Sequence, residues 1–395
     1  MHFWKIIMNP FIPYARQSIN ADDIADVNNI LVSDWLTQGP TIDAFEQAVA
    51  AYCNVSYGVA VSSGTAALHL AALSLGLGPG DYLWTSPNTF VASANCALYC
   101  GAEVDFVDIE LSTYNLCITA LTEKLAKAEK AGKLPKVVVP VHFAGQSCDM
   151  KAIKKLSERY GFKIIEDASH ALGGTYEDHK IGACIYSDIT IFSFHPVKMI
   201  TTGEGGLLLT NDPALRDKLM RLRTHGITRD VTQMTEETQD PWYYQQIELG
   251  FNYRITDMQA GLGLSQLMSL EQYLTKRQLL AQRYHDELNG LPLVLPWQHP
   301  NNQSAWHVYV ILIDPYDRQI SRLDLFNHMR QAQIGVNVHY IPVHLQPFYQ
   351  HRGFKGKHFP NAEFYYQHAL TIPLFPSMTD MDQDRVITIL KNYLQ

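Results

Sequence analysis

Between Tyr57 and Thr210 short apolar runs alternate with amphipathic or small-residue segments, and this alternation limits the chain to few folds. The runs are YGVAVSS from Tyr57, Asp81–Pro87, Val104–Ile109, KVVVPVHF from Lys136, Lys163–Asp167, Ile189–Phe194 and Leu207–Thr210. Runs this short and this uniformly apolar suit strands buried on both faces, and helical spacing between them supplies the crossovers of a parallel sheet. The expectation is an α/β fold with a mostly parallel sheet covered on both sides.

Such a sheet gathers ligands at the carboxyl ends of its strands. Two ends carry chemistry. KIIEDASH ends a strand at Asp167, and TIFSFHPVKMITTGEGG, Thr190–Gly206, breaks at Pro196 and presents Lys198. A lone lysine is ordinarily a solvated surface group. In an apolar setting it loses its proton near neutral pH and serves as nucleophile or base. A carboxylate and a lysine facing one crevice is the pairing that pyridoxal phosphate (PLP) requires: the acid keeps the pyridine nitrogen protonated, and the lysine bonds the aldehyde and moves protons. A strand that ends in Ser62-Ser63-Gly64-Thr65 and opens a helix offers free N–H groups to a phosphate, although many helices start this way.

SFHPVK, TTGEGG, EDASHA, SSGTAAL and GFNYR, in that register, resemble the DegT/DnrJ/EryC1/StrS family of sugar aminotransferases from about Pro10 to Tyr393. The resemblance implies the type I PLP-dependent aminotransferase fold: a large, mostly parallel α/β domain and a smaller C-terminal α+β domain. It implies Lys198, Asp167 and His170 as catalytic residues. It implies a cofactor held by Gly64, Thr65, Phe90, Asp167, His170, Ser193, Lys198 and Asn252, with Phe90 stacked on the ring, His170 near the 3′-oxygen and Asn252 reaching the phosphate from a partner chain. Sugar contacts fall to Tyr14, Asp34, Trp35, Leu36, Thr37, Gly64, Ser193, Asn252, Val338, His339 and Tyr340. By themselves Phe90 would be read as core, His170 as a satisfied structural histidine, and Asp34–Thr37 as a plain helix connection. Arg254 reads equally as a carboxylate clamp or a salt bridge. HFAGQSCDM, from His142, resembles the branch that aminates the C4 ketone of UDP-linked 4-keto-6-deoxy-N-acetylamino sugars for pseudaminic acid, with L-glutamate as donor. A relative acting on another nucleotide-linked keto sugar, such as UDP-4-keto-6-deoxy-GlcNAc, stays open. A PLP dehydratase of the family would carry His where Lys198 stands, and a non-catalytic binder would not be expected to keep Asp167, Lys198, Gly64-Thr65 and Asn252 together.

The expected division is an arm at 1–20, a PLP-binding domain at 21–262, and a linking helix with small domain at 263–395, since 395 residues exceed one ordinary core. A net charge of −8 argues against nucleic acid as the main partner. Cysteines at 53, 96, 100, 117, 148 and 184 show no CxxC or zinc spacing, and the His339/His344 pair lacks a third ligand nearby, so no metal is expected. That usage suits a reducing, cytoplasmic setting. The start, MHFWKIIMNPF, is too short to span a bilayer, and Met8 is a candidate native start. A homodimer with shared sites, no membrane partner, a single helix over 257–289, a flap at 228–240 and a strand at 336–339 complete the expectations.

Overall fold

The structure is a computed structural model that describes residues 10–236, 240–314 and 320–395. The Met8 start, the first nine residues of the arm and part of the 228–240 flap lie outside the described residues.

Seven strands form the central sheet: β1 (Tyr57–Val61), β2 (Tyr82–Thr85), β3 (Glu103–Phe106), β4 (Val137–Val139), β5 (Lys163–Asp167), β6 (Ile189–Ser193) and β7 (Gly206–Thr210), in the order β1-β7-β6-β5-β4-β2-β3. From β3 across to β6 every pairing is parallel. Only β7 runs against its neighbours. The reason is local. A loop of Phe194–Gly205 returns the chain directly beside β6, closed by Phe194 N–H to Gly205 O at 2.9 Å and Thr202 N–H to Phe194 O at 3.0 Å, with Gly203 at φ +77°. Lys198 rides on this loop.

Alternation along the strands divides the core. Ile189 and Ile191 of β6 join Leu83, Val139 and Ile165 beneath helices α3 (Gly64–Ser74) and α4 (Ala92–Tyr99). Phe192 faces the other way, into a core shared with α2 (Pro40–Cys53). Val138 and Ile164 face the same side under α5 (Ile118–Ala131) and α6 (Met150–Tyr160). Burial on both faces is what the apolar runs demanded.

Helix α1 (Ala21–Leu31) starts at Asn20 with a capping box, in which Asn20 accepts from Asp23 N–H and Asp23 accepts from Asn20 N–H. After α7 (Pro213–Arg223), the long helix expected over 257–289 is two helices. Helix α8 (Asp257–Met268) packs on α1 and α2, and α9 (Leu270–Leu288) begins after Ser269. Ser269 N–H bonds Gln266 O, three residues back, and this tightened turn breaks the ladder. The expected domain limit at 262 falls inside α8.

The C-terminal part packs α9, helices Arg322–Gln331 and Asp380–Leu394 and an antiparallel sheet of Leu293–Val294, Tyr309–Ile313 and Ala369–Ile372 around its own core. Ile12 of the arm is buried there, its N–H on Gln333 O and its C=O accepting from Gly335 N–H. The expected strand at 336–339 is a single bridge, Asn337 with Thr371. Among the described residues no helix is long and apolar enough to cross a membrane.

Candidate active site

A cavity of about 500 Å³ opens at the carboxyl edge of the sheet. Its wall is drawn from the start of α3, Thr89–Ser93, the ends of β5 and β6, His307, Asn337–Tyr340 from the C-terminal part, and Tyr14 from the arm. This size suits a cofactor with part of a substrate.

Asp167 ends β5 and is 5% exposed. Its Oδ2 accepts from Ser93 Oγ at 2.6 Å, and its Oδ1 from Ser169 Oγ at 2.7 Å and Ser169 N–H at 3.2 Å. Ser93 Oγ lies 2.7 Å from Thr89 Oγ1. Three donors satisfy the carboxylate in a buried place. The neighbouring Glu166 points to the opposite face, where His142 Nε2 lies 2.7 Å away.

Lys198 is half-buried on the β6–β7 loop, its N–H on His195 O at 2.8 Å. Burial pulls its pKa from 10.5 down to about 8, and the charge of Asp167 offsets only part of that. Desolvation therefore wins, and an ammonium ordinarily charged at pH 8 is half neutral.

The start of α3 is built for an anion. Ser63 caps it by accepting from Ala66 N–H at 3.1 Å, and Gly64 and Thr65 of the first turn line the cavity. Two glycines make the approach possible. A Cβ on Gly64 would stand 2.9 Å from Ser193 Cβ, and one on Gly206 would stand 2.5 Å from Ser63 O.

His170 Nε2 lies 3.2 Å from Tyr340 Oη, whose chain returns from the far side of the cavity. Burial first, then Lys198 and His339, hold His170 well below the usual histidine pKa. His339 lies 2.8 Å from Thr371 Oγ1, and burial followed by Lys198 pulls it down to about 4. Tyr14 packs on His339 at 5.4 Å between ring centroids. Phe90 is 57% exposed at the mouth, 6.2 Å from the Tyr340 ring.

These residues fit PLP: an N–H cradle cleared of side chains for its phosphate, a ring-side carboxylate, and a lysine with a lowered pKa. The sequence profile of the DegT/DnrJ/EryC1/StrS aminotransferase family matches residues 17–391. The chain belongs to this family. Bacillus subtilis spore coat polysaccharide biosynthesis protein SpsC is 39% identical over 390 residues, covering 98% of each chain. Helicobacter pylori PseC, an aminotransferase involved in the biosynthesis of pseudoaminic acid, superposes with TM-score 0.88 at 26% identity over 97% of this chain and 99% of that one. The PLP form of the putative sugar aminotransferase Spr1654 from Streptococcus pneumoniae superposes with TM-score 0.86 at 28% identity over 98% of this chain and 100% of that one. Like the family, this chain is a PLP-dependent sugar aminotransferase of the type I fold.

Of the residues singled out from the sequence, Tyr14, Gly64, Thr65, Phe90, Asp167, His170, Ser193, Lys198, Val338, His339 and Tyr340 line the one cavity. Asp34, Trp35, Leu36, Thr37 and Asn252 do not; all are exposed, away from this chain's own wall. Arg254 is half-buried and also off the wall. The sequence reading missed Ser93, Thr89, His307 and Asn337. Ser93 had one weak signal, its place three residues after Phe90.

The lowered pKa of Lys198 has a direct consequence. Only the neutral amine attacks an aldehyde, so capture of PLP by apoprotein should accelerate up to a pH of about 8 and then level off. An ordinary lysine would keep accelerating to about 10.4. Stopped-flow growth of the visible band against pH distinguishes the two, and Lys198→Arg should bind PLP without capturing it.

Proposed function

We propose that this enzyme moves the amino group of L-glutamate to the C4 ketone of a UDP-linked 4-keto-6-deoxy-N-acetylamino sugar, giving UDP-4-amino-4,6-dideoxy-N-acetyl-β-L-altrosamine for pseudaminic acid. The observation that carries the aminotransfer is the meeting of Lys198 and Asp167 in one cavity beside the α3 amides. For the sugar, support comes from the likeness to PseC along nearly the whole chain, and from a wall rich in hydroxyl, amide and imidazole groups suited to sugar oxygens: Tyr14, His195, Asn337, His339 and Tyr340.

PLP, when bound, supplies an aldehyde that takes up the amino group and a ring that withdraws electrons from the carbon next to nitrogen. Lys198 then acts as the base. Its amine, neutral in half the molecules near pH 8, takes a proton from that carbon of the donor and returns one to C4 of the acceptor. Asp167, held by Ser93 and Ser169, would keep a proton on the ring nitrogen. His170, kept neutral, would serve as a hydrogen-bond partner toward the 3′-oxygen. Gly64, Thr65 and Ser193 would hold the phosphate. Phe90 would cover the ring.

A second reading keeps the chemistry and changes the sugar. SpsC, at 39% identity, is described as a spore coat polysaccharide protein, and another nucleotide-linked keto sugar such as UDP-4-keto-6-deoxy-GlcNAc would suit the same wall. Incubation with glutamate and a panel of UDP-4-keto-6-deoxy sugars, followed by product analysis, decides between them. The altrosamine product is expected in preference; sole amination of the GlcNAc-derived ketone would move the assignment to the second reading.

The working unit in this proposal is a cytoplasmic homodimer with shared sites. Among the described residues lining the cavity Lys198 is the only Lys or Arg, and this described wall offers no fixed cation for the carboxylates of glutamate or the diphosphate of the sugar. Asn252 and the Asp34–Thr37 turn, exposed here, complete the partner's site in this reading. Mixed dimers of Lys198→Ala and Asn252→Ala chains should regain activity, because one of their two sites is intact. Heterodimers that form and stay inactive would refute the sharing.

A further inference from the structure

His307 has no part in the mechanism above, yet its ring forms the floor of the cavity beneath His170. It is 2% exposed, and the two imidazoles lie 4.2 Å apart between centroids at 39°. The main chain around it is pinned from three directions. His307 N–H bonds Ala144 O at 3.0 Å, and Ala305 N–H bonds Gly145 O at 3.1 Å. The His307 carbonyl accepts from Arg277 Nη1 at 3.1 Å.

Arg277 is itself fully buried on α9, and the same Nη1 lies 3.1 Å from the carbonyls of Trp306 and Leu374. Burial pulls its pKa down to about 9. Leu374 N–H in turn holds Tyr14 O at 3.1 Å. One guanidinium thus ties the helix α9 to both the floor and the arm of the cavity.

We infer that His307 is a positioning residue for aminotransfer: its ring, held in place through Arg277, backs the ring of His170 and fixes the angle at which His170 meets the cofactor. The inference needs a PLP site and is independent of which sugar is aminated. Rotation about χ2 of a histidine is broad unless packing restrains it. Tyr340 Oη restrains His170 at one nitrogen only, Nε2. The Nδ1 atoms of both histidines are buried without a hydrogen-bond partner, so ring packing restrains His170, and His307 at 4.2 Å is nearer to it than Tyr340 or Phe143, each at 6.2 Å. The charged and titratable groups around the pair are Lys198, Asp167, His339, Tyr340 and Arg277, and burial leads the causes that keep both imidazoles neutral. The ring contact, and not the His307 nitrogens, then carries the effect.

The test compares His307→Ala with His307→Phe in the full-length, PLP-loaded protein. His307→Ala should keep PLP affinity within about threefold, because the α3 amides are untouched. It should shift the visible absorption maximum of bound PLP. It should also slow the discharge of that band by the amino donor of the wild type by about tenfold, since small misplacements of a contacting group are costly. His307→Phe, which keeps a flat ring, should bring the absorption maximum and the rate back to near wild type. Should the alanine protein fail to fold, His307→Leu fills the space without a flat ring, and the same readings apply to it. A wild-type spectrum and rate in the truncated variant overturns the inference. So does a phenylalanine variant as impaired as the truncated one, or a loss of PLP affinity that tracks the loss of rate.

Discussion

Asp167 and Lys198 face one cavity because β5 and β6 are parallel neighbours, with Asp167 opposite Ile191 in the ladder. Parallel strands end at the same edge, so whatever follows them shares one solvent-poor crevice. Burial at that edge destabilises the ammonium of Lys198 more than the charge of Asp167 restores it. The rest of the site answers this constraint. Ser93 and Ser169 donate to Asp167, so its oxygens keep hydrogen-bond partners where water is scarce. His170, His307 and His339 stay neutral around the amine, with Lys198 among the causes in each case.

The antiparallel β7 is part of the same design. A crossover helix after β6 would have carried Lys198 away from Asp167, whereas the 194–205 loop turns back over the strand ends. Its return places Gly206 beside Ser193 and against the carbonyl of Ser63, which brings the phosphate cradle, the loop and the lysine together. Neither glycine could carry a side chain there without moving the start of α3 or the end of β6.

Much of this was legible in the sequence because it follows from local pattern. Apolar runs gave the strands, and the position of a charged residue at the end of a run gave Asp167 and Lys198. What stayed hidden depends on contacts far apart along the chain. Ser93 reaches Asp167 across 74 positions. His307 enters the site from a loop that Arg277 and the Ala144–Gly145 turn position, and no spacing rule connects those segments. The break at Ser269 was missed because the apolar spacing of α8 and α9 continues through it. The 336–339 segment looked like a strand, but it pairs through one bridge to Thr371 and spends its remaining residues on the cavity wall. Asn252 and Asp34–Thr37 were singled out by resemblance alone, and they stand exposed, off this chain's cavity wall.

The central claim is that the carboxylate of Asp167 acts on the cofactor ring while Lys198 moves the proton. Asp167→Asn keeps shape and removes charge. Single-turnover absorbance, first with glutamate and then with the keto sugar on the aminated cofactor, measures its effect on each half of the reaction. PLP should still bind and bond to Lys198, with both halves slowed by a factor on the order of 10²–10⁴. Conversion at the wild-type rate by Asp167→Asn would contradict it.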